Sequence, residues 1–284
     1  MKSLLGGVLL LTLGALLATG CGGEPGPADG APMNISIVFQ PRVGSQDFAC
    51  GQRYTGVGTS ATSYEPKDFR LYLHNVRLLA DGTEVPMTLT EDGAWQKEGL
   101  ALLDFENKSG LCSNGTEATN HRLVGTAPVG HYTGLRFTVG VPFEKNHQDV
   151  STASAPLNVS TLFWSWAGGY KFLRLEGRTS GLPNGYNLHL GSTGCQLSGP
   201  TQVTSCQNAN RFEVELAGFD PTRAQRVVLD VASLFSGSNL DVNAAQTAPG
   251  CMSDPDDTDC APLFQRLGLA AGGLPANPLF FRKE

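Results

Sequence analysis

The sequence predicts an all-β protein: an antiparallel β-sandwich with disulfide-bonded loops and a short C-terminal helix. Three observations carry this. Apolar residues alternate with period two through several separate runs, Gly 35 and Pro 17 punctuate those runs, and six of the seven cysteines lie in the body of the chain. Stretches rich in Ala, Glu and Lys, which a helical protein needs, are few.

Residues 1–20, MKSLLGGVLLLTLGALLATG, form a signal peptide. Lys2 precedes an apolar run from Leu4 to Leu17, and the small residues Ala18, Thr19 and Gly20 lead into Cys21. The run is too short and wrongly flanked to span a bilayer. The arrangement resembles a lipoprotein box, with Cys21 as the lipidated first residue and Ala18 where leucine is usual. Residues 21–32 are a Gly/Pro tether with nothing to pack. The net charge is −6 before Lys2 is lost with the leader, a sign that excludes nucleic acid and anionic lipid surfaces as partners. A bacterial lipoprotein is expected, periplasmic or held at the outer membrane, meeting lipid only through its anchor.

Residues 33–284 read as one domain. NISIVFQP alternates Ile35, Ile37 and Phe39, and DFRLYLHNVRLL places Phe69, Leu71 and Leu73 on one face. GLRFTVGVPF alternates Leu135, Phe137, Val139 and Val141; RFEVELAGF alternates Phe212, Val214 and Leu216; RVVLDVASLF alternates Val227, Leu229 and Val231. Asp81-Gly82, Asp92-Gly93 and Asn184-Gly185 are turn pairs between runs. A short amphipathic helix is expected over Pro262 to Leu269, with Gly272 and Gly273 past its end. Cys195 with Cys206 and Cys251 with Cys260 are close in sequence, which leaves Cys50 with Cys112; tight C-x-x-C pairs for a thiolate metal site are missing.

Catalytic signatures are absent: no G-x-S-x-G, H-E-x-x-H or phosphate-binding glycine loop occurs. A hydrolase would need an exposed nucleophile beside a histidine, with Ser165 and Ser192 the first candidates. Asp254, Asp256, Asp257 and Asp259 lack the glycine and distal Glu of an EF-hand and read as a solvated acidic turn. Asn34, Asn107, Asn114 and Asn158 head N-x-[ST] sequons that a bacterial leader reduces to polar loop residues.

The histidines carry more. In YNLHLGSTGC, His189 points away from the face of Tyr186, Leu188 and Leu190, and His74 likewise leaves the face of Leu71 and Leu73. His147 sits where a strand gives way to a loop. Neutral imidazoles suit copper, zinc or nickel, against the plain alternative of surface histidines. His121 and His131 have only the latter reading. FWSWAGGYKF sets Trp164 and Trp166 two apart on one strand, either as core or as an oxidisable aromatic pair near the histidines.

The blocks FRLYLHNVRLL, ALLDFE, LCSNGTEATN, GLRFTVGVPFEKNHQD, FWSWAGGYKFLRLEG, HLGSTGC and GCMSDPDDTDC, in this order, resemble the MbnP-like family, the four-Cys proteins of metallo-mystery pair systems. The resemblance runs from about Met33 to Leu269. It implies an exported copper-associated β-protein, not an enzyme, that is the substrate of a di-haem cytochrome c peroxidase-like partner of the MbnH type. That partner oxidises a tryptophan to kynurenine, and in related copper proteins kynurenine lies in a copper site with histidines. Carried over to this chain, the resemblance implies His147 and His189 as ligands, His74 as a third, and Trp166 or Trp164 as the modified residue, with Trp95 the outsider. Two cysteines beyond the family's four imply that one disulfide is particular to this chain. The competing reading is a structural or ligand-binding β-sandwich surface lipoprotein without metal; the histidines converging within coordination reach would favour the first reading, and scattered histidines the second.

Overall fold

The computed structural model describes residues 32–199 and 202–284. The leader, Cys21 and nearly all of the tether lie outside the described residues. Strand structure begins at Pro32, where apolar alternation begins to favour a pleated, half-buried segment.

Two sheets stack face to face. The first is ordered Phe281–Lys283, Arg226–Asp230, Pro32–Val43, Arg122–Pro128 and Thr88–Leu89. The main path of the second is Phe212–Ala217, Gly134–Val139, Thr62–Ala80, Leu173–Thr179, Tyr186–Leu190 and Gly250–Cys251. Inward residues of both sheets interdigitate: Phe39 of the first meets Phe137 of the second edge-on at 5.7 Å. Ile35, Ile37, Phe69, Leu71, Leu135, Val227 and Leu229 fill the same layer and are buried. Each such side chain contributes roughly 1.5–3 kcal/mol by leaving water.

The 19-residue strand Thr62–Ala80 is the spine of the second sheet. Its first half pairs with Leu173–Thr179 and its second half with Gly134–Val139, while Leu100–Asp104 pairs along its middle. Asn75 takes φ 52° where the register with Gly134–Val139 shifts, so the strand turns without breaking.

Several expectations hold and others need correction. The alternation in the expected runs is that of the observed strands, and the three disulfides are Cys50–Cys112, Cys195–Cys206 and Cys251–Cys260. Among the described residues pairing is antiparallel except in two places: Pro32–Val43 with Arg226–Asp230, and Tyr186–Leu190 with Gly250–Cys251, run parallel. Val141 and Val231 are not in strands. Asp230 caps a short helix at Val231–Leu234 by accepting from the backbone N–H of Ala232 and Ser233, and that cap turns the chain. The C-terminal helix spans Cys260–Leu267 rather than 262–269, because Gly268 adopts φ 104° and its N–H donates the terminating bonds to the Phe264 and Gln265 carbonyls. Trp164 and Trp166 do not share a strand. The strand is only Phe163–Ser165, and the Gly168-Gly169 turn draws Trp166 into the hairpin loop.

The face of the spine opposite the sandwich core is covered by the segments around 105–120 and 146–172, so Asp68, Arg70 and Tyr72 are as buried as Phe69 and Leu71. Tyr72 donates to the Pro156 carbonyl at 2.9 Å and Tyr170 to the Leu157 carbonyl at 2.6 Å, which pins this cover down. Among the described residues no helix is long and apolar enough to cross a membrane.

Cross-links differ in what they restrain. Cys50–Cys112 closes 62 residues and Cys195–Cys206 only 11, so chain entropy assigns about 4 kcal/mol to the first and about 3 kcal/mol to the second. In urea denaturation, Cys50→Ser/Cys112→Ser is expected to lose more stability than Cys195→Ser/Cys206→Ser.

Candidate metal centre beside the tryptophan hairpin

The covered face holds a chain of buried charges. Register sets Glu176 opposite Asp68, and Arg174 between Arg70 and His189. Arg70 grips Asp68 through Nε at 2.8 Å and Nη2 at 2.5 Å. Arg174 Nε donates to Glu176 Oε1 at 2.7 Å and lies 3.1 Å from Asp68 Oδ2. His189 Nε2 donates to the same Glu176 oxygen at 2.6 Å. Unpaired, charges this deep would cost several kcal/mol each; shared hydrogen bonds offset that cost.

Burial pushes the Glu176 carboxyl upward, but the hydrogen bonds from His189 and Arg174 and the charge of Arg174 win and hold it down at about 2. Burial lowers His189, opposed by its bond to Glu176, so the neutral ring is favoured. With Nε2–H committed to Glu176, Nδ1 carries the free lone pair; it is buried and has no hydrogen-bond partner. A histidine oriented by a carboxylate, its second nitrogen free, is the usual form of a metal-ligating imidazole. The donor chemistry therefore fits a soft or borderline cation at His189.

The same network positions the hairpin. Arg174 Nη1 and Lys171 Nζ both donate to the Thr161 carbonyl, at 2.8 and 2.9 Å, just before Phe163. Trp164 then lies with its ring centroid 6.3 Å from that of His189. It lines a cleft of about 380 Å³ with Gly168, Ser192, Thr193, Cys195 and Met252. Gly191 makes room: a Cβ there would stand 2.3 Å from Trp164 Cζ3. The tryptophans are half-exposed at this edge and outside the buried core.

His147 follows the short helix Phe143–Asn146. Its Nδ1–H donates to the Trp166 carbonyl at 2.8 Å, so Nε2 bears the lone pair, 3.2 Å from Asn146 Nδ2 and 3.7 Å from Cys206 Sγ. Burial, with Arg211 adding to it, lowers its pKa. His147 Nε2 and the sulfurs of Cys195 and Cys206 lie within 4.8 Å of one another. While the disulfide is closed those sulfurs are not thiolates, and the group offers one good donor rather than three.

His74 is elsewhere. Its strand is separated from that of His189 by Leu173–Thr179, and register places His189 level with Arg70, four residues from His74. Its Nδ1 donates to the Gly140 carbonyl at 2.9 Å. Among the described residues, the three histidines do not form one group within coordination reach. The hairpin joins the neighbourhoods of His147 and His189 instead. Ser192 donates to the Ala209 carbonyl and Ser165 accepts from Gly168 N–H; neither hydroxyl has a histidine partner.

Glu176 and Met252 were not singled out from sequence. Glu176 had a signal, since Arg174 and Glu176 alternate with Leu173 and Leu175 in LRLEG and so place opposite charges on one face. Met252 had none.

Two outcomes follow from this geometry. Glu176→Gln is expected to cost on the order of 3 kcal/mol near neutral pH by leaving Arg174 underpaired. Because Glu176 titrates lower folded than its ordinary 4.5, its contribution is complete above that value and disappears as pH falls toward about 2; the gap between wild type and variant in denaturation midpoints should close over the same window. Gly191→Ala is expected to displace the Trp164 indole, read as a changed tryptophan emission maximum.

The comparisons agree with this architecture. The MbnP family model matches residues 32–253. MbnP from Methylosinus trichosporium superposes with a TM-score of 0.77 at 31% identity, covering 89% of this chain and 98% of that one. No curated protein matches the chain. A match across most of the described residues, together with a shared fold at that identity, makes this chain a member of the MbnP family.

Proposed function

We propose that the chain is an exported copper-binding protein whose site is completed by oxidation of Trp164 to kynurenine. The carrying observation is His189, locked by Glu176 with Nδ1 buried and unpartnered, beside the indole of Trp164. Trp164 is preferred over Trp166 because it faces His189 and the cleft, whereas Trp166 meets His147 through its backbone carbonyl. His147 supplies a second imidazole across the hairpin, and the Met252 thioether a soft donor on the cleft wall. His74 is left out of the site.

The chemistry is coherent. An indole has no in-plane lone pair to give a metal, whereas kynurenine has an aromatic amine. The conversion inserts two oxygens across the C2–C3 bond, a four-electron oxidation that two molecules of peroxide accomplish with release of two waters; hydrolysis then releases formate. A di-haem peroxidase-like partner of the MbnH type supplies the oxidising power, so this chain is the substrate and not the catalyst. The half-exposed hairpin edge gives such a partner access. Copper is cargo, held by a lipoprotein on its tether outside the cytoplasm.

A second reading is favoured by the spread of the histidines and by a separate cavity of about 500 Å³ lined by Arg70, Trp95, Asp104, Asn114 and Thr161. In it the chain is a surface lipoprotein that takes a non-metal ligand.

Peptide mass spectrometry on protein from a host carrying the partner, with copper analysis of the same sample, separates the two. Expected is a Trp164 peptide with one oxygen gained and one carbon lost, and copper that His189→Ala loses. Intact tryptophans without copper would favour the second reading.

A further inference from the structure

The disulfide Cys195–Cys206 joins two strands, Thr193–Leu197 and Val203–Asn208, that among the described residues pair only with each other. The cysteines face each other directly in the register, and both are partly exposed, as are most of their neighbours. The other two cross-links each contain a fully buried residue, Cys112 at 1% and Cys251 at 0% exposure. Access favours attack at Cys195–Cys206 over the others.

His147 is aimed at this bond. Its protonated Nδ1 is occupied by the Trp166 carbonyl, so Nε2 bears the lone pair; it accepts from Asn146 Nδ2 at 3.2 Å, a bond a metal would displace, and lies 3.7 Å from Cys206 Sγ. All three donor atoms fall within 4.8 Å of one another. Breaking the S–S bond leaves the ladder between the two strands in place, with Thr193 opposite Asn208 and Gln196 opposite Ser205, so both sulfurs stay on the same side of the hairpin.

We infer that Cys195, Cys206 and His147 form a reduction-gated site for a soft monovalent cation of the Cu(I) type. A dithiol reductant delivers two electrons and two protons; the S–S bond breaks and two thiols form, while the reductant becomes a disulfide. Metal binding then displaces the thiol protons, giving two thiolates and one imidazole, a donor set that selects Cu(I). In the oxidised protein the set is closed. The site shares His147 with the copper reading above but does not need kynurenine or His189. Copper capacity is thereby tied to the redox state of the surroundings.

The test uses the mature protein with a mild phosphine, which with water takes up the oxygen as phosphine oxide and leaves two thiols. Alkylation and peptide mapping should label Cys195 and Cys206 before Cys50, Cys112, Cys251 or Cys260. Titration with Cu(I) against a chromogenic chelator, on protein made without the partner so that its tryptophans are intact, should then show one equivalent in the reduced form that the oxidised form lacks. His147→Ala and His147→Gln should weaken that equivalent by about tenfold to hundredfold. Cys195→Ser/Cys206→Ser should abolish it, whereas His189→Ala should retain it, which separates this site from the one at His189. No added equivalent on reduction, unchanged affinity in both His147 variants, or earlier reduction of another pair would overturn the inference.

Discussion

The buried chain of charges from Asp68 through Arg70, Arg174 and Glu176 to His189 is the constraint on which the site depends. Replacing such ions with apolar side chains often leaves stability unchanged or improved, so stability alone does not account for them. What they do here is fix positions. Glu176 sets the tautomer and orientation of His189, and Arg174 with Lys171 holds the Thr161 carbonyl from which the tryptophan hairpin departs. Two separate segments of chain are thereby registered against one strand, Leu173–Thr179, whose own place is set by the spine.

Around this chain the protein has three layers rather than two. The sandwich buries Phe39, Phe69, Phe137 and their neighbours, and a loop cover then buries the other face of the larger sheet. A cover made of loops must satisfy its backbone polar groups one at a time. The tyrosine hydroxyls reaching Pro156 and Leu157, and Asn146 accepting from Tyr170 N–H at 3.0 Å, are how this one does so. Gly169 permits the last contact, since with φ 71° a Cβ would stand 2.4 Å from Asn146.

Much of the sandwich was readable from period-two alternation, and disulfide partners from spacing, because both follow from local geometry. The site was readable only in parts. Alternation assigned His189 correctly to the face away from Leu188 and Leu190, yet nothing local showed that this face is covered. His74 obeys the same rule and lies elsewhere, since alternation gives a face but not a strand order. Trp164 and Trp166 were placed on one strand because both fit a strand composition; the glycine pair that ends it outweighed that preference. Met252 enters the cleft through tertiary packing alone, to which no pattern in the sequence corresponds.

The strand order carries a consequence for how the chain is made. The first strand, Pro32–Val43, is paired on one side with Arg122–Pro128 and on the other with Arg226–Asp230, and the sheet ends on Phe281–Lys283 near the C-terminus. Its N-terminal residues therefore wait for almost the whole polypeptide before their edges are filled. Folding dominated by such distant pairings is slow and leaves strand edges open to other chains. For a polypeptide made from its N-terminus, the first sheet closes only after Arg226–Asp230 and Phe281–Lys283 have been added. The early cross-link between Cys50 and Cys112 joins residues that both emerge before that point, and so it can hold the first third of the chain together during the interval.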